Sequence, residues 1–332
     1  MSGAHQMIKE KADIIPKRSR SIYEANMRSI WIYDGVYFVK IIENGQKGDE
    51  EPEQYRVRSL EREFSMMLLA GDCAVQPVGR VNLRGTLCGI IMPLGIAISQ
   101  DPHPFMNLPP PPPPPPGTIP PPEHLIKELT QLVSSLHGKG IIHSDIKASN
   151  LILDKTTSRL LLCDFGCAAL EGREGGMLGS TSQYVSPFRM VMWKAPLAKA
   201  DDLYATGITI WQLYTGHVPF DNVVASEDDF IEDVVACGFQ PNLLAVDDTE
   251  IRELIASYLE AGNPPLPDGR TARGNCACVT AQVVFADCVV VPPHSYERTV
   301  HCGGCDLEKC EKHYQVPDVL SHSEKEKCTE CL

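Results

Sequence analysis

The spacing of apolar and polar positions changes period several times along the chain. In "SIWIYDGVYFVKIIENG" (29–45) two strand-like apolar runs flank Asp34-Gly35, a dipeptide suited to a tight hairpin. Lys40 is embedded in the second run, and the acidic "GQKGDEEPEQ" after it reads as an exposed loop. From about Arg56 to Ala70 the spacing predicts a helix that Gly71 stops. Glu63, Met66, Met67 and Ala70 share one face of it at i, i+3, i+4, i+7. A glutamate on an apolar face calls for a positive partner, because burying it alone is costly. "LCGIIMPLGIAI" (87–98) reads as a buried strand passing into a less regular segment.

A second block begins after proline. "EHLIKELTQLVSSLHGKG" predicts a helix with Leu125, Leu129, Leu132, Val133 and Leu136 as its apolar stripe, ended by Gly138 and Gly140. "RLLLCDFG" is a short buried strand running into Asp164-Phe165-Gly166. "DDLYATGITIWQLYTG" is apolar on nearly all sides, as a helix enclosed by protein is. "DTEIRELIASYLEAG" predicts a last helix with an Asp cap and a closing Gly262. No internal repeat is visible.

Between the blocks lies "LPPPPPPPPGTIPPPEH". Prolines 109–116 cannot donate backbone hydrogen bonds and adopt extended polyproline II. A semi-rigid spacer is the simplest expectation; the functional one is a ligand for a proline-recognising domain.

The 332 residues, 43% hydrophobic and 22% charged, have an ordinary globular balance. A formal net charge of −13 repels phosphate backbones and anionic lipid, so neither nucleic acid nor a membrane is expected as partner. No run of 18 apolar residues indicates a transmembrane helix, and "MSGAHQMIKEKADIIPKRSR" lacks the apolar core of a signal peptide. Thirteen cysteines without such a signal predict reduced thiols in an intracellular protein, cytoplasmic or nuclear.

The chemistry-bearing residues follow one order: Lys40 in "FVKII", Glu63 in "LEREFSMM", "HSDIKASN" (143–150), Asp164-Phe165-Gly166, "TSQYVSP" (181–187), "DLYATG" (202–207) and "GHVPF" (216–220). This ordered set, over roughly residues 20–265, resembles the eukaryotic protein kinase family. The resemblance implies a bilobal α+β fold, with a small β-rich N-lobe carrying one helix and a larger, mainly helical C-lobe. It divides the chain into an N-terminal extension (1–17), N-lobe (18–96), Pro-rich linker (97–123), C-lobe (124–268) and Cys-rich tail (269–332).

The resemblance also implies ATP and Mg²⁺ as cofactors and a protein substrate. Lys40 would neutralise nucleotide phosphates with Glu63 holding its ammonium, and Met92 and Leu94 would flank the nucleotide. Asn150 and Asp164 would give oxygen ligands to Mg²⁺. Asp145 would orient the substrate hydroxyl and accept its proton, and Lys147 would steady the γ-phosphate, a lysine that in the family goes with serine/threonine specificity. Phe165 and Gly166 complete D-F-G, Thr181 would bridge Asp145 and Lys147, and Asp202 would brace the catalytic-loop backbone.

Three positions depart from the family pattern. No G-x-G-x-x-G precedes Lys40, so side chains keep backbone amides further from a phosphate. Ser144 stands where the catalytic-loop arginine would receive a phosphorylated residue, so dependence on that switch is not expected. Phe188 replaces the glutamate of A-P-E, and the usual ion pair beneath the activation segment is expected to be lost. The expectation is an active, divergent serine/threonine kinase; a pseudokinase scaffold is the alternative, and a small-molecule phosphotransferase fits "TSQYVSP" and "GHVPF" less well.

The tail raises a separate question. "CGGCDLEKCEKH" and Cys328-x₂-Cys331 have spacings that suit tetrahedral Zn²⁺. Cys302, Cys305, Cys310, His313, Cys328 and Cys331 exceed the four ligands one ion needs. Cys302, Cys305, Cys328 and Cys331 make one set, and Cys310 with His313 replaces either pair in others. The competing expectation is a thiol-bearing tail that holds no metal.

Overall fold

The computed structural model describes residues 7–14, 19–25, 28–42, 53–99, 115–174, 181–220, 240–267, 269, 283–285 and 289–291. They fall into two compact units: residues up to His143 with Ala148–Ala169, and Ser144–Lys147 with the chain from Leu170 onward.

In the first unit a six-stranded sheet takes up the period-2 segments. Its order is β1 (Met7–Glu10), β5 (Gly79–Leu83), β6 (Thr86–Pro93), β4 (Tyr37–Ile42), β3 (Arg28–Tyr33) and β2 (Ser19–Ala25). Asp34 and Gly35, at φ 51° and 70°, turn β3 into β4 and place Tyr33 opposite Tyr37. Both residues sit in the left-handed region that Asp-Gly tolerates, which is why this dipeptide makes the hairpin.

Alternation along β4 sends Val39 and Ile41 into an apolar cluster with Tyr33, Val81 and Ile91, and Lys40 to the opposite face. Gly89 of β6 lies so close that a Cβ there would sit 2.4 Å from the Lys40 carbonyl oxygen. The N-terminal segment joins this architecture. β1 pairs parallel with β5, and the short α1 (Lys11–Ile14) drops Ile14 into the same cluster.

The helix α2 (Glu53–Ala70) begins three residues before Arg56 and ends where Gly71 takes φ 58°. Its buried face carries Leu60, Glu63, Phe64, Met66, Met67 and Ala70, while Leu68 and Leu69 are half exposed. α3 (Pro122–Gly138) starts with proline at its first position, where a missing N–H costs nothing, and buries the predicted leucine stripe. β7 (Ile96–Ala97) joins β9 (Leu151–Leu153) and β10 (Leu160–Leu162) in a small sheet, and β8 (Ile141–Ile142) is fully buried.

In the second unit α5 (Lys199–Thr215) follows α4 (Pro187–Val191), and α6 (Thr249–Ala261) packs on α5. Asp248 caps α6 by accepting the Ile251 N–H at 3.0 Å, as the sequence predicts. Gly262 after α6 allows close approach: a Cβ there would fall 2.2 Å from the Tyr204 nitrogen. α5 is enclosed, with Tyr204, Ile208, Ile210 and Trp211 buried, and it ends at Gly216 with φ 73°.

Candidate active site

The first unit builds a charge triad, centred on a buried lysine, from three distant segments. Lys40 on β4 donates to both oxygens of Glu63 on α2, at 2.8 and 2.9 Å, and to Asp164 Oδ1 at 2.6 Å. Lys40 is 5% and Glu63 2% exposed. Burial alone would push the Lys40 ammonium toward the neutral form; the charges of Asp164 and then Glu63 outweigh it and hold its pKa above the ordinary lysine range. The glutamate on the apolar face of α2 therefore has the partner its burial demands.

The β9–β10 hairpin brings the two candidate metal ligands onto one end. Asn150 directly precedes β9, and Asp164 lies two residues past β10. Antiparallel pairing sets Leu151 opposite Leu162, and the Cys163 N–H bonds the Asn150 carbonyl at 3.0 Å. Asp164 holds φ 58° and ψ 67°, a left-handed conformation that a residue with a Cβ adopts only when its surroundings enforce it. Those surroundings include Lys40 on its carboxylate and Arg62 of α2, whose guanidinium donates to the Gly166 carbonyl at 2.7 Å. Phe165 is fully buried against the His143 ring, 4.7 Å between centroids, and His143 Nε2 donates to the Cys163 carbonyl at 3.1 Å.

Of the other two nucleotide candidates, Met92 is buried in β6 opposite Phe38. Leu94 gives its N–H to the Val36 carbonyl at 2.9 Å.

The second unit holds the catalytic-loop network. Asp145 Oδ1 accepts from the Thr181 N–H at 3.1 Å and from its hydroxyl at 2.9 Å. Lys147 Nζ donates to Thr181 Oγ1 at 2.6 Å and pairs with Asp145 Oδ2 at 2.9 Å. One hydroxyl thus joins the carboxylate to the ammonium. Ser144 has φ 64°, and its N–H is held by the fully buried Asp202 at 2.8 Å. Thr209, about two turns further along α5, approaches the Ile146 carbonyl at 3.4 Å.

Beside this network lies an ion pair distinct from the one whose loss Phe188 predicts. Phe188 occupies the position after Ser186-Pro187, and its neighbour Arg189 is buried and paired fork-to-fork with Asp201, at 2.7 and 2.8 Å. Arg189 also donates to the carbonyls of Met192, Ala195 and Pro196. Sequence spacing did not single out Arg62, Arg189 or Asp201. An arginine twelve residues before an aspartate carries no periodic signal.

With the geometry in place, comparison with known proteins adds an independent line. Residues 121–261 match the sequence model of the family described as "Protein kinase domain". Residues 121–261 carry a protein kinase domain. The chain is 29% identical over 136 residues to serine/threonine-protein kinase STY46 of Arabidopsis thaliana, covering 41% of this chain and 23% of that one. It is 35% identical over 117 residues to serine/threonine-protein kinase mos of Patiria pectinifera, covering 32% of each. With human 3-phosphoinositide-dependent protein kinase 1 it shares 36% identity over 99 residues, 28% of this chain and 17% of that one. The chain spans less than a third of the length of these curated relatives.

The fold agrees with that match: it is α+β, sheet-rich in its N-terminal part and helical in its C-terminal part. Lys40 and Glu63 precede the matched residues, so their link to Asp164 rests on the geometry above. Prolines 109–114 and the cysteine and histidine residues of the tail from Cys302 to Cys331 lie outside the described residues. Among the described residues, no helix is long and apolar enough to cross a membrane, and no group of three or more His, Cys, Asp or Glu is placed to hold a metal.

Proposed function

We propose that this kinase transfers the γ-phosphoryl group of ATP to a serine or threonine hydroxyl of a protein substrate. The observation that carries the reading is the Asp145–Thr181–Lys147 network, which points a fixed carboxylate and a fixed cation at one locus. Phosphoryl transfer asks for positioning and charge neutralisation more than for covalent help. Asp145 would accept the hydroxyl proton as the oxygen attacks, and Lys147 would hold the phosphoryl oxygens. Thr181, bonded to both, keeps their separation constant. Lys147 and the named serine/threonine kinases among the relatives support the choice of hydroxyl.

The residues of the first unit fit a nucleotide with its metal. Asn150 and Asp164 offer oxygen donors, the class a hard divalent cation takes, and the Asp164 side chain is 35% exposed although Lys40 is buried. Mg²⁺ there would neutralise phosphate charge. Lys40, steadied by Glu63, would bind the phosphates, and Arg62 would keep Gly166 and its neighbours in register.

A second reading, a binding or scaffold module with little phosphotransfer, is favoured by one observation: no G-x-G-x-x-G precedes Lys40. β2 and β3 pair antiparallel, with Ala25 opposite Arg28. An ATP-binding and autophosphorylation assay separates the two. Mg²⁺-ATP should raise the melting temperature and label the wild-type chain, and Asp145→Asn should bind ATP without labelling. A wild type that neither binds nor labels is a scaffold.

A further inference from the structure

We propose that Arg189 is a positioning residue for phosphotransfer, taking over through Asp201 the anchoring role that the missing glutamate at position 188 leaves open; the proposal rests on the phosphotransfer reading above. Arg189 is 5% exposed, and its guanidinium spends its donors on two targets at once. Nε and Nη2 take the two oxygens of Asp201, and Nη1 and Nη2 take the carbonyls of Met192, Ala195 and Pro196. The connection from α4 to α5 is thus wrapped around one planar cation, a geometry that a lysine cannot reproduce.

Asp201 stands in the first turn of α5, where its second oxygen also accepts the Ala198 N–H at 2.9 Å. The next residue, Asp202, holds the Ser144 N–H, one residue before the candidate base. The start of α5 is therefore fixed on one side by Arg189 and grips the catalytic loop on the other. At the far end of the same segment, Ser186 caps α4 by accepting the Arg189 N–H at 3.1 Å, and Asn263 Oδ1 accepts the Phe188 N–H at 2.9 Å. Phe188 itself supplies only its backbone to this arrangement. Arg189 carries the charge.

The test uses the full chain and four variants: Arg189→Met, Arg189→Lys, Asp201→Asn, and the double variant Arg189→Met with Asp201→Leu. Autophosphorylation is followed at saturating Mg²⁺-ATP, together with the KM for ATP and the melting temperature. Arg189→Met should lower the rate by about 10²-fold, the usual result of misplacing a reacting group by an ångström. The KM for ATP should stay unchanged, because Lys40, Asn150 and Asp164 belong to the other unit. Arg189→Lys should recover little of the rate.

The double variant replaces the pair by apolar side chains and should regain melting temperature without regaining rate. Recovery of both would reduce Arg189 to a stability element and overturn the proposal, as would an unchanged rate in Arg189→Met. Should Arg189→Met not fold, Asp201→Asn carries the same comparison. A wild type without phosphotransfer defeats the functional reading alone; hydrogen exchange then decides the present one. The Ser144 amide should exchange about tenfold faster in Arg189→Met or Asp201→Asn while α6 keeps its protection. Unchanged Ser144 protection overturns the proposal.

Discussion

Lys40 and Lys147 are both lysines bonded to an aspartate, yet the two units hold them by different means. Lys40 is gripped by carboxylates 23 and 124 residues away in sequence, and its ammonium is buried. Lys147 pairs with an aspartate two residues away and is bridged to it by a hydroxyl 34 residues on. The first network exists only when a strand, a helix and a hairpin end have all docked. The second is half present in any chain that contains D-x-K and is completed by Thr181. The first network accordingly depends on tertiary docking throughout, the second largely on local sequence.

The largest effect that could break this contrast is at Asp145. Asp145→Asn should slow phosphotransfer about 10²–10⁴-fold, the usual size of a general-base contribution. The ATP-induced melting shift should stay near wild type, because Lys40 and Glu63 are untouched. Turnover matching wild type would remove Asp145 from the mechanism.

Lys40→Met attacks the other network and should show the opposite signature. Removing one partner of a buried ion pair costs about 3–5 kcal/mol, moderated here because Asp164 is partly solvated. Urea unfolding should register that loss, and ATP should no longer raise the melting temperature. A Lys40→Met protein as stable as wild type would show that the triad contributes nothing net.

Thr181→Val sharpens the second half of the comparison. It deletes the hydroxyl that Lys147 and Asp145 share but spares the backbone N–H bond to Asp145 at 3.1 Å. The rate should fall about tenfold, between a full base deletion and no effect. Thr181→Ser, which restores the hydroxyl, should return most of it in the same assay.

The smallest effect is in the pH dependence. Lys40 has a folded-state pKa raised above its unfolded 10.5, so its contribution to stability is complete below pH 10.5 and is lost as pH climbs through the folded value. The stability gap between wild type and Lys40→Met should therefore stay flat from neutral pH to about 10 and close only beyond it. A gap that closes near neutrality would mean that Lys40 is not held by its carboxylates.

Much of the fold was legible because local rules point to it. Asp34-Gly35 makes a hairpin since both residues tolerate positive φ, and the leucine stripe of α3 and the Asp248 cap of α6 follow spacing and chemistry alone. The edge strand at Met7–Glu10 was not legible. Four residues of alternating burial in a charged segment carry too little pattern, and their pairing partner, beginning at Gly79, is far along the chain. α2 begins three residues before its predicted start, because the acidic composition there carries no helical period.

At the candidate site the same division holds. The sequence by itself determined which residue types are present and in what order: the lysine in a strand, the glutamate on an apolar helix face, D-x-K-x-x-N, D-F-G and Thr181. It also showed that a glutamate, a glycine-rich loop and an arginine are absent where the family carries them. Only the tertiary structure decided that Glu63 and Asp164 converge on one ammonium, that Arg62 holds Gly166, and that Arg189 and Asp201 form a buried ion pair next to Phe188. Periodicity encodes which face of an element is buried, because hydrophobic burial is non-directional and averages over many residues. Charge pairing requires a few specific atoms within about 3 Å, and only docked elements bring them there.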